Sequence, residues 1–99
     1  MQMTLQKRGN EGELLLQGRL DSTTSPDAEQ LFRELAPRFD HITLNLAGLE
    51  YISSAGLRVI KQLHIIMQKK DGKLTIRNTP RIVMEVFEMT GFAGLFEFV

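Results

Sequence analysis

Cysteine is absent from the 99-residue chain, and this absence excludes both disulfide bonds and thiolate chemistry. A chain without cysteine is compatible with a reducing compartment. No apolar run approaches the roughly 18 residues that a transmembrane helix requires, and Met1–Lys7 contains no apolar core of a secretory signal. We therefore expect a cytoplasmic protein with no membrane insertion.

A surplus of charge of either sign is also missing, because 12 basic residues balance 12 acidic ones. Nucleic-acid binders usually carry a basic excess or a dense basic stripe, whereas the densest basic run here, Lys69-Lys70, is followed at once by Asp71. Tryptophan is absent and tyrosine occurs once, so the chain offers few rings on which bases could stack. These deficits argue against a nucleic-acid partner.

Motifs of catalysis and metal binding are equally scarce. The sequence contains no HExxH metal motif, no glycine-rich phosphate loop and no GxSxG nucleophile turn. Its two histidines are His41 and His64, and a pair made of Ser54 and His64 would lie about 15 Å apart along one helix at 1.5 Å per residue. We therefore expect no enzymatic activity, no catalytic residue, no cofactor and no metal site.

Hydrophobic residues make up 42% of the chain, which is enough for one core in a domain of this size. Residues 3–8 and 12–18 read as a hairpin-like pair of strands, and the run Leu14–Leu16 suggests that the second strand is covered on both faces. Ser25-Pro26 predicts a helix start with a serine cap, and that helix runs to about Ala36. Alternation over Ile42–Leu46 predicts another strand, which residues 48–52 connect to a second helix.

The second half of the chain repeats this alternation of strands and helices. The second helix is predicted from Ser54 to about Lys69, and residues 73–77 follow as a strand. Asn78-Thr79-Pro80 predicts the start of a third helix, which Gly91 ends, and residues 95–99 read as a last strand. The order β-β-α-β-α-β-α-β predicts an α/β fold with a mixed, mostly parallel sheet, formed by residues 1–99 as a single domain.

Two adjacent serines open the second helix, at Ser53 and Ser54. The first N–H groups of a helix lack intrahelical partners and carry partial positive charge, so a phosphate attached there would meet ready donors. Serine is also a favoured helix cap. The local pattern therefore allows two interpretations, a cap with no further role and a phosphorylation site.

A resemblance to a known family bears on this choice. The segment Tyr51–Ile60 resembles the signature of STAS domains, specifically the bacterial anti-sigma factor antagonists. Gly18–Asp21 is similar to the family's Gly-x-Leu-Asp after its second strand, and Ile42–Leu46 is similar to its central strand. Thr90–Phe92 with Leu95-Phe96 resembles its closing segment, so the likeness covers nearly the whole chain.

The resemblance implies a binding cycle controlled by phosphorylation. In that family the unphosphorylated protein binds an anti-sigma factor, itself a serine kinase, and so frees a sigma factor; a metal-dependent serine phosphatase later removes the phosphate. Matched by position, Ser54 is the phosphoacceptor and Asp21 is an aspartate near it. Ser53 and Asn45 stand where the family often has Asp, which would remove negative charge beside Ser54.

The same comparison implies a partner-binding surface around the phosphoacceptor. On a helical wheel Ile65 lies about 180° from Gly56, outside the apolar stripe, and Leu57 lies at its boundary. The residues assigned to this surface are Asp21, Ser53, Ala55, Gly56, Leu57, Arg58, Lys61 and Ile65. Two other functions stay open: a STAS subunit of a lipid-transport or stress-signalling assembly that is not phosphorylated, and an enzyme or nucleotide-binding domain of similar architecture.

Overall fold

The structure is a computed structural model that describes residues 1–99. Its strands and helices follow in the predicted order, which is confirmed. They are β1 (Gln2–Arg8), β2 (Glu11–Leu20), α1 (Ser25–Leu35), β3 (His41–Ile52), α2 (Ser54–Lys69), β4 (Lys73–Arg77), α3 (Arg81–Met89) and β5 (Glu97–Phe98), with a short 3₁₀ helix, Phe92–Gly94, before β5.

The five strands form one mixed sheet in the order β1-β2-β3-β4-β5. β1 pairs with β2 antiparallel, and the other three pairings are parallel. This confirms the predicted sheet, since the hairpin supplies the antiparallel pair and each helix connects two parallel neighbours. The longest helix, α2, has 16 residues, and none of the helices is long and apolar enough to cross a bilayer.

One face of the sheet is apolar and carries the helices. Successive side chains of a strand point to opposite faces, and the apolar set joins the buried helix residues in a single core cluster. The strand members of that set include Leu14, Leu16, Ile42, Leu44 and Ile76, each at most 1% exposed. The apolar face that helical spacing predicts for α2 is confirmed. Its members are all buried or half-buried: Gly56, Val59, Ile60, Leu63, Ile66 and Met67.

The opposite face of the sheet is polar. Asn45 donates to Glu13 at 3.0 Å, Arg77 donates to the same carboxylate at 3.3 Å, and the hydroxyls of Thr43 and Thr75 lie 2.9 Å apart. Leu15 points to this side and is only half-buried. The expectation that β2 is covered on both faces was therefore wrong, because its other face meets a polar layer rather than a second set of helices.

β3 is longer than the sequence predicts. Residues 48–52 were expected to form a connection, but they continue the strand to Ile52 because β2 continues beside them, with Gly18 paired to Leu49 and Leu20 paired to Ile52. The register between β2 and β3 shifts twice along this stretch, which breaks the simple alternation on which the prediction depended.

Two helix caps and the last strand also differ from their predictions. Ser25 is the first residue of α1 rather than its cap, and its buried hydroxyl has no partner. Pro80 occupies the cap position of α3, in extended conformation. Gly91 follows the helix at φ 80°. The predicted strand 95–99 shortens to Glu97–Phe98 because Leu95 caps a 3₁₀ helix in helical conformation, with its N–H bonded to the carbonyl of Phe92.

Candidate functional site

The two serines at the start of α2 have different roles in the fold. Ser53 is the cap: its backbone is extended, with φ −102° and ψ 177°, and its hydroxyl accepts a long hydrogen bond of 3.4 Å from the N–H of Gly56. Ser54 is the first helical residue, and its side chain is exposed. The cap role therefore belongs to Ser53, which leaves the hydroxyl of Ser54 available to another molecule.

The end of β2 fixes the position of this helix start. The N–H of Ser53 donates to the carbonyl of Leu20 at 2.9 Å, and the N–H of Leu57 donates to the carbonyl of Ser53 at 2.9 Å. Gly56 makes this packing possible, because a Cβ at that position would lie 2.8 Å from the Leu20 carbonyl oxygen and 2.9 Å from a side-chain carbon of Ile52. The helix therefore begins directly against the ends of two paired strands.

Asp21 forms a tight turn one residue beyond this contact. Its carboxylate accepts hydrogen bonds from the N–H of Thr24 at 3.2 Å and of Thr23 at 3.0 Å, and the guanidinium of Arg19 lies 3.7 Å away. The hydrogen bond from the Thr24 backbone is the largest of several contacts that hold the pKa of Asp21 below its ordinary value of 3.8. Asp21 thus stabilises the loop that precedes α1.

This pKa gives a prediction about stability and pH. Because the folded-state pKa of Asp21 is lowered, its ionised form stabilises the fold above the ordinary value of 3.8, and this contribution is lost as the pH falls through the folded-state pKa. We expect Asp21→Asn to be less stable than the wild type at pH 7, with a difference that shrinks at pH 3. Denaturant unfolding at both pH values measures it, with the exposed Glu50→Gln as control. A difference that is equal at both pH values would contradict this role.

The exposed face of α2 carries the other residues assigned to the partner-binding surface. Arg58 and Lys61 are exposed, Ile65 is 37% exposed, and Ala55 is half-buried. Ser54, Arg58, Lys61 and Ile65 are spaced three to four residues apart, so they form one stripe along the helix. The expectation that Ile65 lies outside the apolar face is confirmed.

Leu57 and Gly56 do not reach this surface. Leu57 is 3% exposed and belongs to the core cluster, so its placement at a boundary was wrong. A helical wheel gives the direction of a side chain but not what packs beside it, and here the flank of α2 that Leu57 occupies is covered. Gly56 is buried against Leu20, so it acts through the packing of the helix start rather than by direct contact.

Asn45 does not lie beside the phosphoacceptor candidate, contrary to the expectation from the resemblance. It pairs with Leu15 on β2, whereas Ile52 pairs with Leu20. Five residues of strand separate Leu15 from Leu20, which corresponds to about 16 Å at 3.3 Å per residue. Asn45 instead donates a hydrogen bond to Glu13 in the polar layer. Because of the distance, the absence of a charge at Asn45 leaves the electrostatic field at Ser54 largely unchanged.

Tyr51 and Arg19 are site residues that the sequence analysis did not assign. They face each other across β2 and β3, with the Arg19 guanidinium carbon 4.3 Å from the centre of the Tyr51 ring. Tyr51 is 38% exposed, and exposed tyrosine and arginine are enriched in protein interfaces. Their place in the sequence, two residues before Ser53 and Asp21 respectively, was the available signal.

Neither histidine approaches Ser54. The ring of His41 lies in the polar layer, 2.9 Å from a Glu11 carboxylate oxygen and 3.0 Å from the Thr75 hydroxyl. His64 is packed edge-on against Phe96, with 5.5 Å between ring centres. Because α2 is continuous from Ser54 to Lys69, the predicted separation of Ser54 and His64 along one helix holds.

Comparison with known sequences shows which proteins this chain is similar to. A family model described as "Mlab, STAS domain" matches residues 3–97. BtrV of Bordetella bronchiseptica, which is named as a candidate anti-sigma factor antagonist, is 37% identical over an alignment of 100 positions. That alignment covers 97% of this chain and 84% of BtrV.

Solved structures show the same fold. A candidate anti-sigma factor antagonist from Thermotoga maritima matches with a TM-score of 0.90 at 17% identity, over 97% of this chain and 84% of that one. The anti-sigma factor antagonist SpoIIAA matches in its unphosphorylated form with a TM-score of 0.85 at 16% identity, over 99% and 88%. The phosphorylated form, from Bacillus, gives 0.78 at 15% identity, over 99% and 91%.

Proposed function

Because this chain belongs to the STAS domain family, we propose that it is an anti-sigma factor antagonist whose binding is switched by phosphorylation of Ser54. In its unphosphorylated form it sequesters an anti-sigma factor that is also a serine kinase, and so frees a sigma factor. One observation carries the proposal: Ser54 is exposed at the first turn of α2 while Ser53 supplies the cap. The relative BtrV, named as a candidate antagonist, supports it.

The cycle that we propose needs two partners, one that adds the phosphate and one that removes it. The anti-sigma factor phosphorylates Ser54 and dissociates, and a metal-dependent serine phosphatase restores the hydroxyl. The chain itself acts in the cytoplasm as a regulatory binding protein and not as an enzyme, without a cofactor, a metal or a nucleic-acid partner.

The charges around Ser54 favour a phosphate at this position. The first turn of α2 contains no acidic residue, and an anion near a helix N-terminus is stabilised by about 0.3–1 kcal/mol. A phosphate adds roughly −1.5 to −2 charges to a surface that the partner must contact. We infer that phosphorylation opposes docking through charge and bulk while the fold stays intact.

The thermal stability of the two forms tests this inference. We expect the Ser54-phosphorylated protein to melt within a few degrees of the unmodified one, since about 1 kcal/mol moves the melting temperature of a domain of this size by about 4–8 °C. Circular dichroism and amide hydrogen exchange of both forms measure the effect. Loss of exchange protection along the whole of α2 would show instead that the phosphate melts the helix.

Incubation with ATP and the candidate partner kinase tests the proposed function itself. Mass spectrometry should locate one phosphate, on Ser54, and the modified protein should no longer hold the partner. The alternative function, a STAS subunit of a lipid-transport or stress-signalling assembly, predicts stable binding to its partner with no phosphate incorporated. A phosphate on Ser53 with Ser54 unmodified would overturn the assignment.

Ile65 gives a prediction about the contact surface. Ile65→Asp places a charge on the exposed stripe of α2, and we expect partner affinity to fall at least about fivefold, the equivalent of roughly 1 kcal/mol. The matched control is Ile82→Asp, the same change on α3 at a residue that is 58% exposed. Calorimetric titration of both variants measures the difference. Equal affinities of the two variants would place the interface elsewhere.

A further inference from the structure

A polar cleft opens between α1 and the N-terminal half of α2, with a volume of about 310 Å³. Ser25 and Glu29 line it from α1, and Ala55, Arg58 and Gln62 line it from α2. Ala55 directly follows Ser54 in the chain, so the cleft begins beside the proposed phosphoacceptor.

Two polar atoms in the walls of this cleft lack partners. Ser25 is only 4% exposed, and its hydroxyl makes no hydrogen bond. The side-chain amide oxygen of Gln62 is also buried without a partner. Buried polar groups in folded proteins are nearly always satisfied, and the amide of Gln62 can present either its oxygen or its NH₂ group after a flip. A rotation of either side chain would bring a donor group to a ligand in the cleft.

The charge of the cleft favours an anion. Arg58 is exposed and takes part in none of the protein's salt bridges. The carboxylates nearby are already neutralised or engaged: Glu29 pairs with Arg33 at 3.2 Å, and Asp21 accepts hydrogen bonds within its own turn. A free guanidinium beside two neutral donors is suited to a planar or tetrahedral oxyanion.

We propose that this cleft is an oxyanion site that takes a phosphate group between Arg58, Ser25 and Gln62. Two sources would supply it. A phosphate carried by Ser54 would lie beside Arg58 and Ser25 but not reach Gln62, which is eight residues, or about 12 Å, further along the helix; free inorganic phosphate can contact all three. Ser54 and Arg58 are four residues apart on α2, and the Cβ atoms of such pairs lie about 5–6 Å from each other. Only the first source rests on the proposed function.

The first arm of the test uses protein with phosphoserine incorporated at position 54 during synthesis, so its result does not depend on a kinase. Hydrogen-bond donors and positive charge stabilise the doubly ionised form of the phosphoserine. Its second ionisation, followed by ³¹P NMR, should therefore have a pKa below the ordinary value of about 6. Arg58→Gln and Ser25→Ala should each raise that pKa, by about 0.3 units or more. Lys69→Gln, the same loss of charge near the other end of α2, should leave it unchanged.

The second arm uses unphosphorylated Ser54→Ala protein and titrates it with inorganic phosphate. If free phosphate is the source, the side-chain amide resonance of Gln62 shifts, and Arg58→Gln abolishes the shift. Ser25→Ala removes an unsatisfied hydroxyl, so this variant should keep its fold, and circular dichroism checks that.

A phosphate pKa that responds to both Arg58→Gln and Ser25→Ala, or a shift of the Gln62 resonance that Arg58→Gln abolishes, supports the site and identifies its source. No response in both arms overturns it. A phosphate pKa that responds to Arg58→Gln but not to Ser25→Ala also overturns it, because the phosphate then pairs with Arg58 outside the cleft. A kinase that fails to modify Ser54 would overturn the proposed function while leaving either arm valid.

Discussion

Ser54→Ala should reduce phosphate incorporation by the partner kinase to background. The hydroxyl of Ser54 is exposed at the helix start, whereas that of Ser53 accepts the capping bond from Gly56. Removing one exposed hydroxyl changes the free energy of unfolding by no more than about 0.5 kcal/mol in most cases. We expect an equally small change in the binding free energy, so Ser54→Ala should keep its partner affinity within about twofold. Phosphate counted per chain by intact-mass spectrometry, together with a binding titration, measures both effects.

Two further variants complete this test. Ser54→Asp should bind the partner more weakly than the alanine variant, because it adds charge at the contact surface. Ser53→Ala should remain a substrate for the kinase, although losing the cap should lower its stability by about 0.5–2 kcal/mol. If Ser53→Ala alone abolished labelling while Ser54→Ala remained a full substrate, the roles of the two serines would be reversed.

Leu57→Ala should lower the free energy of unfolding by about 2–5 kcal/mol, the usual cost of truncating a buried leucine. The side chain is 3% exposed and packs in the core cluster. For a domain of this size the melting temperature should fall by about 8 °C or more. Thermal unfolding followed by circular dichroism measures the change.

The matched control is Ile65→Ala, two helical turns further along α2. Ile65 is 37% exposed, so its truncation should change stability far less than that of Leu57. If Leu57→Ala melted at the wild-type temperature and only weakened partner binding, Leu57 would be a contact residue, as the helical wheel suggested, and its burial in the core would contribute little.

The start of α2 could be predicted because several independent signals coincide there. Ser53 is a favoured cap, Ala55 and Gly56 are small enough for close packing, and an apolar stripe at helical spacing follows. The start of α1 lacked this agreement. Its Ser25-Pro26 pair looks like a cap and a first helical residue, but the turn held by Asp21 and Thr24 places the boundary one residue earlier.

The features that escaped prediction depend on contacts between distant segments. The second half of β3 is a strand only because β2 runs on beside it to Leu20, and Gly48 next to Leu49 gives no alternation to reveal it. Leu57 is buried by neighbours that a helical wheel does not include. The distance of Asn45 from Ser54 follows from the length of β3, so a resemblance between motifs could not supply it.

Each pairing in the sheet joins strands that are consecutive along the chain. Each parallel pair is therefore connected by a single α-helix, with a short 3₁₀ helix added between α3 and β5. Mixed α/β domains of this kind fold at rates between those of helical bundles and β-sandwiches, often near the millisecond range. Because Ser53 is tied to Leu20 by the β2–β3 pairing itself, a newly made chain acquires its helix start together with its sheet.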